Sequence, residues 1–125
     1  MKHPEYQLQK AVSKYLKYSY PRIFFLSDTV ANLELTMFQK IRNKEIQCQN
    51  FKCPDLLIFE PKNGYHGLFL ELKAKSPFKK NGEILQNEHL IGQYDTIQKL
   101  KEKGYRAEFV WSLDDAIKII DEYLK

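Results

Sequence analysis

Pro54-Asp55 and Glu71-Leu72-Lys73 are the residues of this chain best suited to chemistry, with fifteen residues between the aspartate and Glu71. Two carboxylates can hold a hard divalent cation, and a lysine beside them can act on water or on phosphate. That set is what metal-assisted hydrolysis of a phosphodiester requires. Both pieces fall in strand-like runs, Asp55 to Glu60 and His66 to Ala74, with Asn63-Gly64 as the turn between them. Alternation along the second run puts Leu68, Leu70 and Leu72 on one face and Phe69, Glu71 and Lys73 on the other. Glu71 and Lys73 therefore project together from one sheet surface.

Placing Asp55 on that same surface constrains the hairpin. A two-residue turn at Asn63-Gly64 pairs Lys62 with Tyr65. Carried down an unbroken ladder, it sets Asp55 opposite Leu72, on the wrong face. A shared site requires an odd turn, or a bulge that shifts the register by one. A three-residue loop Lys62-Asn63-Gly64 with Gly64 left-handed would do this, and so would a bend at Pro54.

The remaining elements must bring further polar groups to this surface. A first helix should start near Pro4 and end near Ser19, with Leu8, Ala11, Val12, Tyr15 and Leu16 as its apolar stripe. Glu5 and Gln9 lie along the edge of that stripe. Glu5 reads either as a surface ion-pair partner or as an inward-facing acid. Arg22 to Leu26 reads as a strand. Leu33 to Ile46 reads as a helix with Leu33, Met37 or Phe38, and Ile41 on its apolar side, and with Lys40, Arg42 and Lys44 on a solvated face.

Glu88 to Lys103 is a helix stopped by Gly104, and Gln93 places an amide on its buried side between Leu90 and Ile97. Tyr105 to Trp111 is a strand. Ser112 then caps a last helix whose core stripe is Leu113, Ala116, Ile117, Ile120 and Leu124. The order helix, strand, helix, hairpin, helix, strand, helix implies a small mixed sheet flanked by helices. Ser76 to Glu88 is the least structured stretch. Its Lys75, Phe78, Lys79 and Lys80 mix basic and aromatic residues as nucleic-acid loops do, or as a solubilising loop does. His66 belongs to the turn and packs there rather than binding metal. Tyr6, Tyr15, Tyr18 and Tyr20 read as core and rim residues.

At 125 residues the chain is long enough for one domain, residues 1–125, and too short for two. It carries 43% hydrophobic residues and a net charge of +4, a mild basic excess that permits nucleic acid as a partner. No apolar run is long enough for a membrane span, and no signal-peptide pattern is present. The two cysteines, Cys48 and Cys53, have no second pair at zinc-finger spacing, which fits a reducing, cytoplasmic setting.

The pattern resembles the PD-(D/E)XK nuclease superfamily, and more closely its VRR-NUC family. The resemblance runs through Glu5 with Leu8-Gln9, then Cys53-Pro54-Asp55-Leu56-Leu57. Its most specific block is Tyr65-His66-Gly67-Leu68-Phe69-Leu70-Glu71-Leu72-Lys73. It ends with Gln93, Leu100, Gly104-Tyr105 and the last helix to Tyr123-Leu124. Two departures stand out. Lys52 and Cys53 occupy positions where relatives usually carry a glycine and a small or β-branched residue, and the segment from Lys75 to Gln93 is longer than in the shortest relatives.

The resemblance implies a restriction-endonuclease-like α/β fold and a Mg²⁺- or Mn²⁺-dependent DNA endonuclease, bacterial or phage-encoded. It implies selectivity for branched, flap or junction DNA, a role in DNA repair, and a homodimer. Asp55, Glu71 and the Leu72 carbonyl would hold the metal, and Glu5 a second ion or a metal-bound water. Lys73 would orient or deprotonate the attacking water. Gln93 would position a water, the phosphate or a neighbouring ligand. Beside what the resemblance implies, the residue types of the loop make Lys75, Lys79 and Lys80 the candidate nucleic-acid contacts. The competing reading is a module of the same fold that binds nucleic acid without cutting it, or a subunit of a larger repair or restriction complex.

Overall fold

A computed structural model of the chain describes residues 4–28 and 34–125. Its elements follow the expected order: α1 (Pro4–Ser19), β1 (Phe25–Ser27), α2 (Met37–Ile46), β2 (Leu56–Ile58), β3 (Leu68–Leu72), α3 (Glu88–Glu102), β4 (Arg106–Val110) and α4 (Leu113–Leu124). The strands form one mixed sheet in the order β1-β2-β3-β4. The first two pairings are antiparallel, and β3 and β4 run parallel. Helix α3 is the crossover that a parallel neighbour requires.

Alternation along the strands gives the sheet two apolar faces. Leu56, Ile58, Leu68, Leu70, Leu72 and Val110 pack against Val12 and Leu16 of α1 and Ala116, Ile120 and Tyr123 of α4. On the other face Phe69, Ala107 and Phe109 pack against Ile97 and Leu100 of α3. The core positions of β3 are buried on both sides. Local signals fix the helix ends. Asn87 Oδ1 accepts from Leu90 N at the start of α3, and Ser112 Oγ accepts from Asp115 N at the start of α4. Gly104, at φ 95°, takes the left-handed conformation that closes α3 at least cost. Tyr15 and Tyr20 both donate to Asp121 Oδ1 at 2.6 Å, joining α1 to α4.

Helix α2 departs from expectation. The expected start at Leu33 lies outside the described residues, and the described helix begins behind a Thr36 capping box. None of its residues is buried. Met37, Phe38, Ile41 and Ile46, expected in part to face a core, stand exposed. The physical reason is that α1 with α4 and α3 already cover the two faces of the sheet.

The hairpin resolves the register question by a bulge. Lys62 pairs with Tyr65 across a two-residue turn in which Asn63 has φ 53° and Gly64 φ 83°. The three-residue loop is therefore not formed. Further along, Ile58 pairs with Leu68, Leu57 with Phe69 and Leu56 with Leu70. Three residues, Phe59 to Pro61, thus face two, His66 and Gly67. The ladder shifts by one, and its next step sets Asp55 opposite Glu71. The backbone groups at the shift are met from outside the hairpin. Phe59 N donates to Phe24 O, His66 N to Gly104 O, and Gly67 O accepts from Arg106 N. Pro61 has no N–H to satisfy. Gly67 leaves no room for a side chain, since a Cβ there would stand 2.9 Å from the Ile58 carbonyl oxygen.

Candidate active site

Asp55, just ahead of β2, and Glu71, near the end of β3, meet on the face covered by α3. Asp55 Oδ2 accepts from the Leu72 N–H at 2.8 Å. The two carboxyls lie close enough for each to act on the other's protonation. Burial, and then the charge of Asp55, push the Glu71 carboxyl up to about 9. Burial also raises Asp55, opposed by the Leu72 N–H. Two acids in one low-dielectric site cannot both ionise cheaply unless a cation joins them.

Gln93 reaches the pair from α3, donating from Nε2 to Glu71 Oε1 at 2.6 Å. Its own Oε1 is buried and has no hydrogen-bond partner among the described residues. Lys73 is buried and follows Glu71 on the same sheet face, its main-chain N–H donating to Val110 O. The site thus joins Asp55, Glu71 and Gln93 directly and sets Lys73 alongside. Gln9, buried on α1, donates to the carbonyl oxygens of Asp28 and Asp55 at 3.0 and 2.9 Å. That amide ties the first helix to the strand ends that carry the acids.

Glu5 stands exposed at the mouth of the site. It lines a cavity of about 450 Å³ together with Lys73, Lys75, Ser76, Asn87 and His89. Its charge is near enough to raise both Asp55 and Glu71. Even so, among the described residues no group of three or more His, Cys, Asp or Glu side chains is placed to hold a metal ion. Asp55 and Glu71 thus form a carboxylate pair, and Glu5 faces the cavity beside it. A second cavity, of about 540 Å³, lies at the opposite end of β4 beside Tyr65, Tyr105 and Arg106 and contains none of these groups.

The basic loop separates into parts. Lys75 lines the cavity at the site, whereas Lys79 and Lys80 are exposed on a turn where Lys79 N donates to Glu83 O. Phe78 does not offer a free stacking face. It pairs with Ile84 and packs edge-on against Phe109 and Trp111. The stretch expected to be least structured is an ordered turn for this reason. His66 lies away from the acids, its ring against Tyr105 and over Gly104.

Two further groups stand near the site: Asp28, which the sequence did not single out, and Cys53, which it marked only as a departure from the resemblance. Asp28 donates its N–H to Asp55 O, and its charge helps to raise the Cys53 thiol. The β1–β2 register that places it beside Asp55 is not written in either strand alone. Cys53 is pushed up to about 11, first by burial and then by Asp28, Glu71 and Asp55, so it stays a neutral thiol.

The donor set fits a hard divalent cation. It offers two carboxylates that burial and mutual charge hold towards protonation, beside an amide oxygen with an open acceptor position. Among the described residues no helix is long and apolar enough to cross a membrane.

No family model and no curated protein matches the chain. A solved structure described as a VRR_NUC domain protein does. It superposes with a TM-score of 0.63 at 20% identity, over 99% of this chain and 90% of that one. The chain thus has an α/β, restriction-endonuclease-like fold, a small mixed sheet between helices, shared with that VRR_NUC domain protein.

Proposed function

We propose that this chain is a divalent-metal-dependent DNA nuclease of the VRR-NUC family, hydrolysing phosphodiesters in branched, flap or junction DNA. The observation that carries the reading is the register that sets Asp55 opposite the buried Glu71, with the buried Lys73 two residues on along the same sheet face. Mg²⁺ or Mn²⁺ would be held by Asp55 and Glu71, with the Leu72 carbonyl. Bound there, it would supply Lewis-acid stabilisation of the charge that builds on the phosphate.

The chain's own residues account for the rest. Leu72 N–H fixes one Asp55 oxygen and so sets the carboxylate plane. Gln93 fixes one Glu71 oxygen and keeps its amide oxygen for a water proton. Lys73 orients the attacking water and offsets phosphate charge. Glu5, at the mouth, would hold a second ion or a metal-bound water. Lys75, Lys79 and Lys80 contact the DNA backbone. A homodimer is part of this reading, and the exposed Met37, Phe38, Ile41 and Ile46 of α2 are the surface a second copy would cover. The free cysteines suit a cytoplasmic protein of a bacterium or phage, acting in DNA repair.

The second reading is a module that binds DNA without cutting. It is favoured by the carboxylate pair having no third acidic ligand among the described residues. A cleavage assay separates the two. Single-stranded, duplex, flap and four-way DNA are incubated with Mg²⁺ or Mn²⁺ and with wild type, Asp55→Ala or Lys73→Ala. Cutting by wild type that both variants lose supports the nuclease. Binding without cutting under either ion assigns the module.

A further inference from the structure

Lys52 is one of the two positions at which this sequence departs from the resemblance, and the fold gives it a defined place. Its main-chain N–H donates to Thr96 Oγ1 at 3.1 Å, which ties the segment ahead of Asp55 to α3. Its side chain then crosses that helix at Gly92. A Cβ built on Gly92 would stand 2.4 Å from Lys52 Cε, 2.9 Å from Cδ and 3.7 Å from Nζ. The lysine stem therefore occupies the room a side chain at position 92 would take. Gly92 adjoins Gln93, the residue bonded to Glu71. His89, one turn earlier on α3, feels the positive charge of both Lys73 and Lys52. The ammonium thus lies at Gly92, next to the residue bonded to Glu71, and among the described residues it forms no ion pair.

A lysine stem laid over a helix can be simple packing with its head in water. Here the stem has a groove without a Cβ, a main-chain anchor and a direction, and its head is an uncommitted cation beside a phosphodiester site. We propose that Lys52 is a DNA-phosphate contact, carried across α3 by the groove at Gly92 to the phosphate neighbouring the one at the carboxylate pair. Gly92 acts as the positioning residue. The inference rests on the nuclease reading for the identity of the anion. Its chemistry is that of a compact point charge on a strand phosphate.

The test is fluorescence anisotropy of labelled flap DNA with Ca²⁺ in place of Mg²⁺, across a series of salt concentrations. Lys52→Ala should weaken binding and lower the slope of log affinity against log salt by about 0.9, the loss of one phosphate contact. Lys52→Arg should keep the slope. Gly92→Ala displaces only the flexible end of a lysine, so it should fold and reproduce the Lys52→Ala loss while Lys52 is still present. The double variant should be no weaker than either single one. An unchanged slope in Lys52→Ala overturns the proposal, and so does a Gly92→Ala loss of equal size in the Lys52→Ala background. If wild type cuts DNA with Mn²⁺ while Lys52→Ala binds as wild type does, only this inference fails. If wild type neither binds nor cuts, the nuclease reading fails and takes the inference with it.

Discussion

Replacing Glu71 by glutamine should stabilise the metal-free protein, and the size of the effect follows from the carboxylate pair. Burial and the neighbouring Asp55 raise Glu71 from 4.5 to about 9 in the folded chain. Between those values the folded state holds a proton that the unfolded state has lost. The unfolded state binds fewer protons, so stability falls as pH rises through that window. At pH 7 the interval above 4.5 corresponds to about 3 kcal/mol, at 1.36 kcal/mol per pH unit. The charge of Asp55 acts on Glu71, so the figure belongs to the pair.

Glutamine at position 71 keeps an oxygen for the Gln93 amide and removes the titration. For a chain of this length the gain should raise the melting temperature by about 10 °C at pH 7 and fade towards pH 4.5. The assay is thermal unfolding in EDTA from pH 4.5 to 9, taken as the difference between wild type and Glu71→Gln so that other groups cancel. Mn²⁺ should restore wild-type stability with increasing effect at higher pH and leave Glu71→Gln unmoved. A Glu71→Gln protein that melts below wild type at pH 8 without metal would refute the paired-carboxylate reasoning.

Other outcomes are equally specific. Gly67→Ala should cost about 1–3 kcal/mol in thermal unfolding, because its Cβ would press on the Ile58 carbonyl at the bulge; a neutral result would mean the shift in register is not held there. Lys79→Ala with Lys80→Ala should lower the salt slope of DNA binding by about 1.8, with turnover at saturating DNA less affected. Unchanged affinity at low salt would make that turn an ordinary solvated surface. Asp55→Ala should abolish cutting in Mg²⁺ and Mn²⁺ while far-ultraviolet circular dichroism stays that of wild type, and residual metal-dependent cutting would remove Asp55 from the site.

The acids and the lysine were legible because strand alternation is a local property. Glu71 and Lys73 two residues apart on one strand must share a face. The caps at Ser112 and the stop at Gly104 were legible for the same reason. The bulge was not, although its necessity was. The Asn63-Gly64 turn is fixed by its own backbone preference, whereas the extra residue at Phe59 to Pro61 depends on hydrogen bonds to Phe24, Gly104 and Arg106 from three other segments. Helix α2 carries an amphipathic pattern that normally predicts burial. Periodicity cannot reveal that both sheet faces are already taken. Glu5 has the spacing of an inward acid but sits at the helix end, where the side chain overhangs the cavity. Lys52 stood out only as a departure from the resemblance, since a charged residue before a strand looks solvated until the glycine that receives it is seen across α3.

The central claim is that Asp55 and Glu71 form a divalent-cation site. The most direct measurement is an anomalous difference map from a crystal soaked in Mn²⁺. The account predicts a peak about 2 Å from carboxylate oxygens of both Asp55 and Glu71, as hard divalent cations require. No peak between them, or one coordinated elsewhere, would contradict it.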